Sequence, residues 1–123
     1  MKTWLIRSAA LVAAILMLAG GPFMNTATAG GKVALVLDVG GRGDLSFNDM
    51  GFKGADEAEA KLGVDVVEIQ SNSAADYLPN MQNAARSGKF DLVVAVGFLL
   101  ADAMAEVAAQ FPDQKFAIID VTW

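Results

Sequence analysis

The stretch Lys32-Val-Ala-Leu-Val-Leu-Asp-Val-Gly-Gly-Arg-Gly-Asp-Leu-Ser-Phe-Asn-Asp-Met-Gly-Phe-Lys-Gly54 decides how this chain folds. Val33 to Leu37 is an apolar run without helical period, as in a parallel strand covered on both faces. Asp38 stands at its carboxyl end, and Gly40, Gly41 and Gly43 permit a tight turn or close approach of a ligand to backbone. Ser46 and Asp49 form an S-x-x-D capping pattern, which starts a helix near Phe47. Ligands of open α/β sheets sit outside the carboxyl ends of the strands. This turn carries Asp38, Asp44, Ser46, Asn48 and Phe52 to that place.

Working outward, the helix runs over residues 47–62. Phe47, Met50, Gly51, Gly54, Ala55, Ala58 and Leu62 share one face, and Gly63 caps the end. Val64 to Ile69 is a second strand, whose Asp65 and Glu68 suit an edge position. A second helix over 77–87 has Asp76 as N-cap, Pro79 in its first turn and Leu78, Met81 and Ala85 inward. Asp91 to Val96 is a third strand closed by Gly97. A third helix over 99–111 turns Leu100, Met104, Val107 and Phe111 inward, and Lys115 to Asp120 is a fourth strand. The order is β-α-β-α-β-α-β. Right-handed crossovers make it an α/β fold: a parallel sheet in the order 2-1-3-4 with helices on both faces. The switch point then lies between strands one and three, with Asp38 to Asn48 and Gly97 facing it and Asp120 nearby. A fourth strand at the margin leaves an open edge, an association hazard.

Residues 1–29 read as a secretory signal peptide. Lys2 and Arg7 precede an apolar stretch, and Ala27-Thr28-Ala29 has the small-x-small cleavage form. The mature domain is then 30–123. Without Lys2 and Arg7 its 94 residues carry seven basic and fourteen acidic side chains, a poor match to nucleic acid. The chain has no cysteine and no histidine. That rules out disulfides, thiolate metal sites, a Ser-His-Asp triad and His-bound zinc.

Several short patterns compete for the turn. Gly41-x-Gly43 begins a dinucleotide fingerprint, but Ser46 stands where it needs Gly or Ala. A phosphate-receiver domain needs an acid where Gly97 stands. Asp38, Asp44, Asn48 and Asp49 lack calcium-loop spacing, so Asp44 and Asp49 read as caps and no metal is expected. Arg42-Gly43-Asp44 is an adhesion triplet of a kind that arises by chance. Phe52 lies off the apolar stripe of its helix. It is either a lone surface ring or one wall of a site for a flat, polar ligand. Asp38 and Asp120 either order their loops or accept hydrogen bonds from ligand hydroxyl and N–H groups.

Taken together, the stretch from Asp38-Val-Gly-Gly to Phe52-Lys-Gly54 resembles the opening motif of the basic membrane protein (BMP) family. These are substrate-binding proteins of nucleoside ABC transporters, the purine nucleoside receptors among them. Gln70-Ser-Asn-Ser-Ala-Ala-Asp-Tyr77, Val96-Gly-Phe-Leu-Leu-Ala-Asp102 and Phe111-Pro-Asp-Gln-Lys-Phe-Ala-Ile-Ile-Asp120 resemble later blocks of the same family, in order.

The resemblance implies a periplasmic binding protein of type I, with residues 30–123 forming the N-terminal part of its first lobe and the second lobe absent. It implies a non-enzymatic receptor without a cofactor. Such a receptor holds a purine nucleoside between lobes, is monomeric when complete, and hands the ligand to an inner-membrane permease. It implies that Asp44 and Asn48 hold the ligand, that Phe52 stacks on the base, that Gly97 gives close backbone approach and that Asp120 meets the base edge. Asp38 matches an acidic strand end of the family. Lacking a lipobox cysteine, the mature chain is expected free in the periplasm. The alternatives are a sensory binding protein for a sugar or autoinducer, and a truncated product without activity of its own.

Overall fold

A computed structural model describes residues 30–122; the signal-peptide reading of residues 1–29 and Trp123 lie outside them. Four strands, β1 (Lys32–Leu37), β2 (Asp65–Ile69), β3 (Leu92–Val96) and β4 (Phe116–Ile119), form one sheet in the order β2-β1-β3-β4. Every pairing is parallel, with Val36 opposite Ile69 on one side and Ala95 on the other. The helices are α1 (Phe47–Leu62), α2 (Tyr77–Arg86) and α3 (Ala101–Gln110). Element order and strand order are those expected from the sequence.

Alternation along the strands divides the core in two. Ala34, Val36, Val93 and Ala95 pack under α2 and α3, against Tyr77, Met81, Ala84, Ala85, Leu100, Met104 and Val107. Leu35, Leu37 and Val96 turn to the other face, where Phe52 of α1 joins them. One helix therefore covers one face and two cover the other.

That asymmetry corrects the expected core of α1. Its buried residues are Asn48 and Phe52, while Phe47, Met50 and Leu62 remain about half exposed or more. The apolar stripe does face the sheet, but it meets a groove of about 450 Å³ rather than close packing. Val33, Leu35, Val94 and Ile119 floor this groove. The helix closes on the sheet beside Phe52 and at Gly51. A Cβ on Gly51 would stand 3.0 Å from Val96 Cγ2, so glycine sets how closely α1 approaches β3.

Helix starts also differ from expectation in two places. Short 3₁₀ turns, Ala74–Asp76 and Phe98–Leu100, precede α2 and α3. Asp76 Oδ2 accepts the N–H groups of Asn72 and Ser73, which draws the chain into the tighter turn before α2 begins. At α1 the Ser46 side chain makes no capping bond. The cap there is Asp44.

Candidate ligand-binding site

Asp44 collects the free N–H groups at the start of α1. Its Oδ1 accepts from Ser46 N at 2.8 Å and Asp49 N at 3.1 Å; its Oδ2 accepts from Asn48 N at 3.0 Å and Asn48 Nδ2 at 2.9 Å. A carboxylate offers about four lone-pair sites, so all are engaged within the chain. Desolvation pushes the Asp44 carboxyl up. The hydrogen bonds from Ser46, Asn48 and Asp49 outweigh it and hold the group below its ordinary value. Asp49 does similar work one residue outward, accepting from Gly43 N and Leu45 N. Leu45 is held at φ 53°, a conformation costly for its side chain.

Asp38 and Asn48 are joined directly. Asn48 Nδ2 donates to Asp38 Oδ1 at 2.6 Å, and Gly40 N donates to the same oxygen at 2.8 Å. Two acceptors at this place have no partner among the described residues. Asp38 Oδ2 accepts no hydrogen bond, and Asn48 Oδ1 is buried without a donor, on a side chain only 1% exposed. A buried acceptor left unpaired costs about 1–3 kcal/mol.

Gly97 closes the crevice from β3. Its φ of 98° and ψ of 150° belong to a region essentially restricted to glycine. A Cβ there would lie 3.5 Å from Asp38 Oδ2. The structure therefore brings Asp38, Asp44, Asn48 and Gly97 together. Asp120 is exposed and stands just past β4, where Gly97 N donates to Ile119 O. Two strand spacings separate it from Asp38, about 10 Å. It shares the end of the sheet but not the hydrogen-bonded cluster, and it too has a left-handed backbone, with φ 67°.

Phe52 is placed differently from the sequence expectation. It does not lie off the buried face: it is 4% exposed, packed with Leu35, Leu37 and Val96. The Arg42 guanidinium lies 3.7 Å from its ring centroid. Asn48 and Phe52, at the flank of the stripe, are the buried residues of α1, whereas Phe47 and Met50 line the open groove. Exposed rings at this end of the sheet belong to Phe47, at 48%, and Phe98, at 62%. Sequence reading assigned Phe47 to the core because it fits the apolar stripe. Its place at the first position of a helix following a strand end was the available signal. Among the described residues no group of three or more acidic side chains is placed to hold a metal ion.

Residues 32–122 match the family model described as ABC transporter substrate-binding protein PnrA-like. The chain belongs to this family. It is 48% identical over 103 residues to an uncharacterized lipoprotein of Pyrococcus abyssi, covering 84% of this chain and 26% of that protein. It is 34% identical over 123 residues to the ABC transporter nucleoside-binding protein BmpA of Lactococcus lactis, covering 92% of this chain and 35% of that protein. A solved solute-binding protein of an ABC transporter system from Aeropyrum pernix superposes with a TM-score of 0.70 at 49% identity, over 74% of this chain and 25% of that one. The chain spans about a quarter of the length of the first relatives it matches. Three of those relatives are named lipoproteins, whereas this chain contains no cysteine.

Proposed function

We propose that this chain carries one wall of a nucleoside site in the substrate-binding component of an ABC uptake system, with purine nucleosides as ligands. The observation that carries this reading is the Asp38 carboxylate, fixed by Asn48 and Gly40 through Oδ1 while its Oδ2 takes no hydrogen bond among the described residues, beside a glycine that leaves backbone bare. Such a surface accepts hydrogen bonds and offers few. It suits ligand hydroxyls and ring or amino N–H groups, which a purine nucleoside supplies from both sugar and base. Asp44 acts one step back, by fixing Asn48. Asp120 meets a more distant ligand edge. Phe47 and Phe98 give flat apolar area for a base, with Phe52 supporting the turn from below.

Mechanism in this account is capture and release without bond making. Ligand contacts from this wall and from an opposing one shift an open–closed equilibrium. The closed form delivers the ligand to a membrane permease, from a site in the periplasm. Nucleoside recognition also agrees with the name of the Lactococcus relative, a nucleoside-binding protein.

Isothermal calorimetry tests it, with inosine, guanosine, adenosine and uridine titrated into the chain. Saturable heat with purine nucleosides is the expected result. Heat from sugars or amino acids with silence from every nucleoside would contradict it.

A further inference from the structure

Behind the crevice, the glycine turn is tied to the end of β2. This strand lies on the side of β1 away from β3, so these ties approach Asp38 from the rear. The Arg42 side chain ion-pairs with Glu68 of β2 and lies over the Phe52 ring, its Cζ 3.7 Å from the centroid. Gln70 Nε2 donates to the backbone carbonyl of Asp38 at 2.9 Å. Gln70 also fills the space beside Gly41, where a Cβ would come within 2.5 Å of its Oε1.

The turn needs such ties. Gly41 and Gly43 both have positive φ, at 58° and 88°, and glycine has many other conformations open to it. A ligand that must first order this segment loses affinity in proportion to the fraction of chains already ordered. Arginine suits the task better than lysine, because its guanidinium is planar and can stack on a ring while it pairs with a carboxylate. The positive charge is already matched by Glu68, so Arg42 is not set up to receive an anionic ligand.

We propose that Arg42 is a positioning residue: stacked on Phe52 and paired with Glu68, it holds the turn from Val39 to Gly43 in the shape that presents Asp38 to the ligand. This rests on the reading of the crevice as a binding site, and it concerns order in the free chain. Over half of the Arg42 side chain is exposed, so its pair with Glu68 adds little to global stability. Its effect is local.

The test is amide hydrogen exchange by NMR on the ligand-free chain, with an inosine titration alongside. In Arg42→Ala the Gly40, Gly43 and Leu45 amides are expected to exchange at least tenfold faster. The β1 and β3 amides and the melting temperature stay as they were. Arg42→Lys and Glu68→Gln fall between, because each keeps one half of the contact. Inosine affinity falls by the factor that the turn loses in ordered population. Turn amides within twofold of the original chain would overturn the proposal. So would equal acceleration throughout the core, which would make Arg42 a general stabiliser. A chain that never binds inosine, yet shows the local acceleration, supports the positioning role and counts against the nucleoside reading alone.

Discussion

Asn48 Nδ2 stands 2.6 Å from Asp38 Oδ1, so a buried amide at the start of a helix is locked to the carboxylate at the end of the strand before it. The same nitrogen reaches Asp44 Oδ2 at 2.9 Å. With both N–H bonds committed to carboxylates, the amide orientation is set, and Oδ1 is the atom left over. Strand end, turn and helix start thus behave as one unit, and the unpaired oxygen is a consequence of how that unit is held.

Replacing Asn48 with Asp should be more damaging than replacing it with Ala. The aspartate would put a third carboxylate against Asp38 and Asp44 in a buried place, where unpaired charge is costly. Alanine removes two hydrogen bonds, an effect of about 1–3 kcal/mol on stability. Thermal melts of the two variants check the order, and a more stable Asp variant would show that the amide bridge is unimportant.

Phe52→Ala and Phe47→Ala should separate folding from binding. Removing the buried Phe52 ring is expected to cost about 3–5 kcal/mol of stability. Removing Phe47 should leave stability within about 0.5 kcal/mol, as at an exposed site. If Phe47 stacks on a base, its loss weakens nucleoside binding by about 1–3 kcal/mol. Denaturant unfolding and calorimetry on both variants check this. Equal stability of the two would move Phe52 out of the core.

Acidification should loosen the turn. Hydrogen bonds hold the Asp44 carboxyl below its ordinary value, so the folded state favours the ionised form. The stabilising contribution is therefore complete above the unfolded aspartate value of about 3.9. It fades as pH drops below that, and is gone once pH passes the lowered folded value. Asp44→Asn should flatten this acid limb. Stability measured from pH 6 to pH 2.5 in both chains checks it, and identical limbs would show that Asp44 is not a linked group.

Gly97→Ala should act on fold and site together. Its backbone conformation is one that alanine takes at a cost of about 1–3 kcal/mol. The new methyl would also stand in contact with Asp38 Oδ2, 3.5 Å away, inside the crevice. Loss of stability with loss of binding is expected, whereas Gly54→Ala, with nothing within 4 Å of the added Cβ, should be neutral or stabilising. Melting temperatures of the two variants distinguish these outcomes.

The sheet and its order were legible because four short apolar runs alternate with helical stripes, and crossover handedness leaves few arrangements. The capping of the turn was only partly legible. Asp44 and Asp49 read as caps, but Ser46 fits the same pattern and makes no side-chain bond. Phe52 was misplaced for a reason of scale. Helical periodicity shows which residues share a face, but not which side of that face is pressed to the sheet. A single helix over a four-stranded sheet packs closely along only part of its face; here Asn48 and Phe52 are buried at the flank of the stripe, while Phe47 and Met50 line the groove. The unpaired Asn48 oxygen and the Arg42–Phe52 stack have no sequence signature, since both depend on atoms brought together through the turn.

The most direct test of the central claim is a nucleoside titration followed by NMR, because it detects weak binding by a chain that spans only part of its relatives. The Gly40 and Gly97 backbone amides and the Asn48 side-chain amide are the reporters. Saturable shifts at all three with inosine or guanosine are expected. Shifts confined to residues of the apolar groove, such as Met50 and Leu62, or none at millimolar nucleoside, would contradict it.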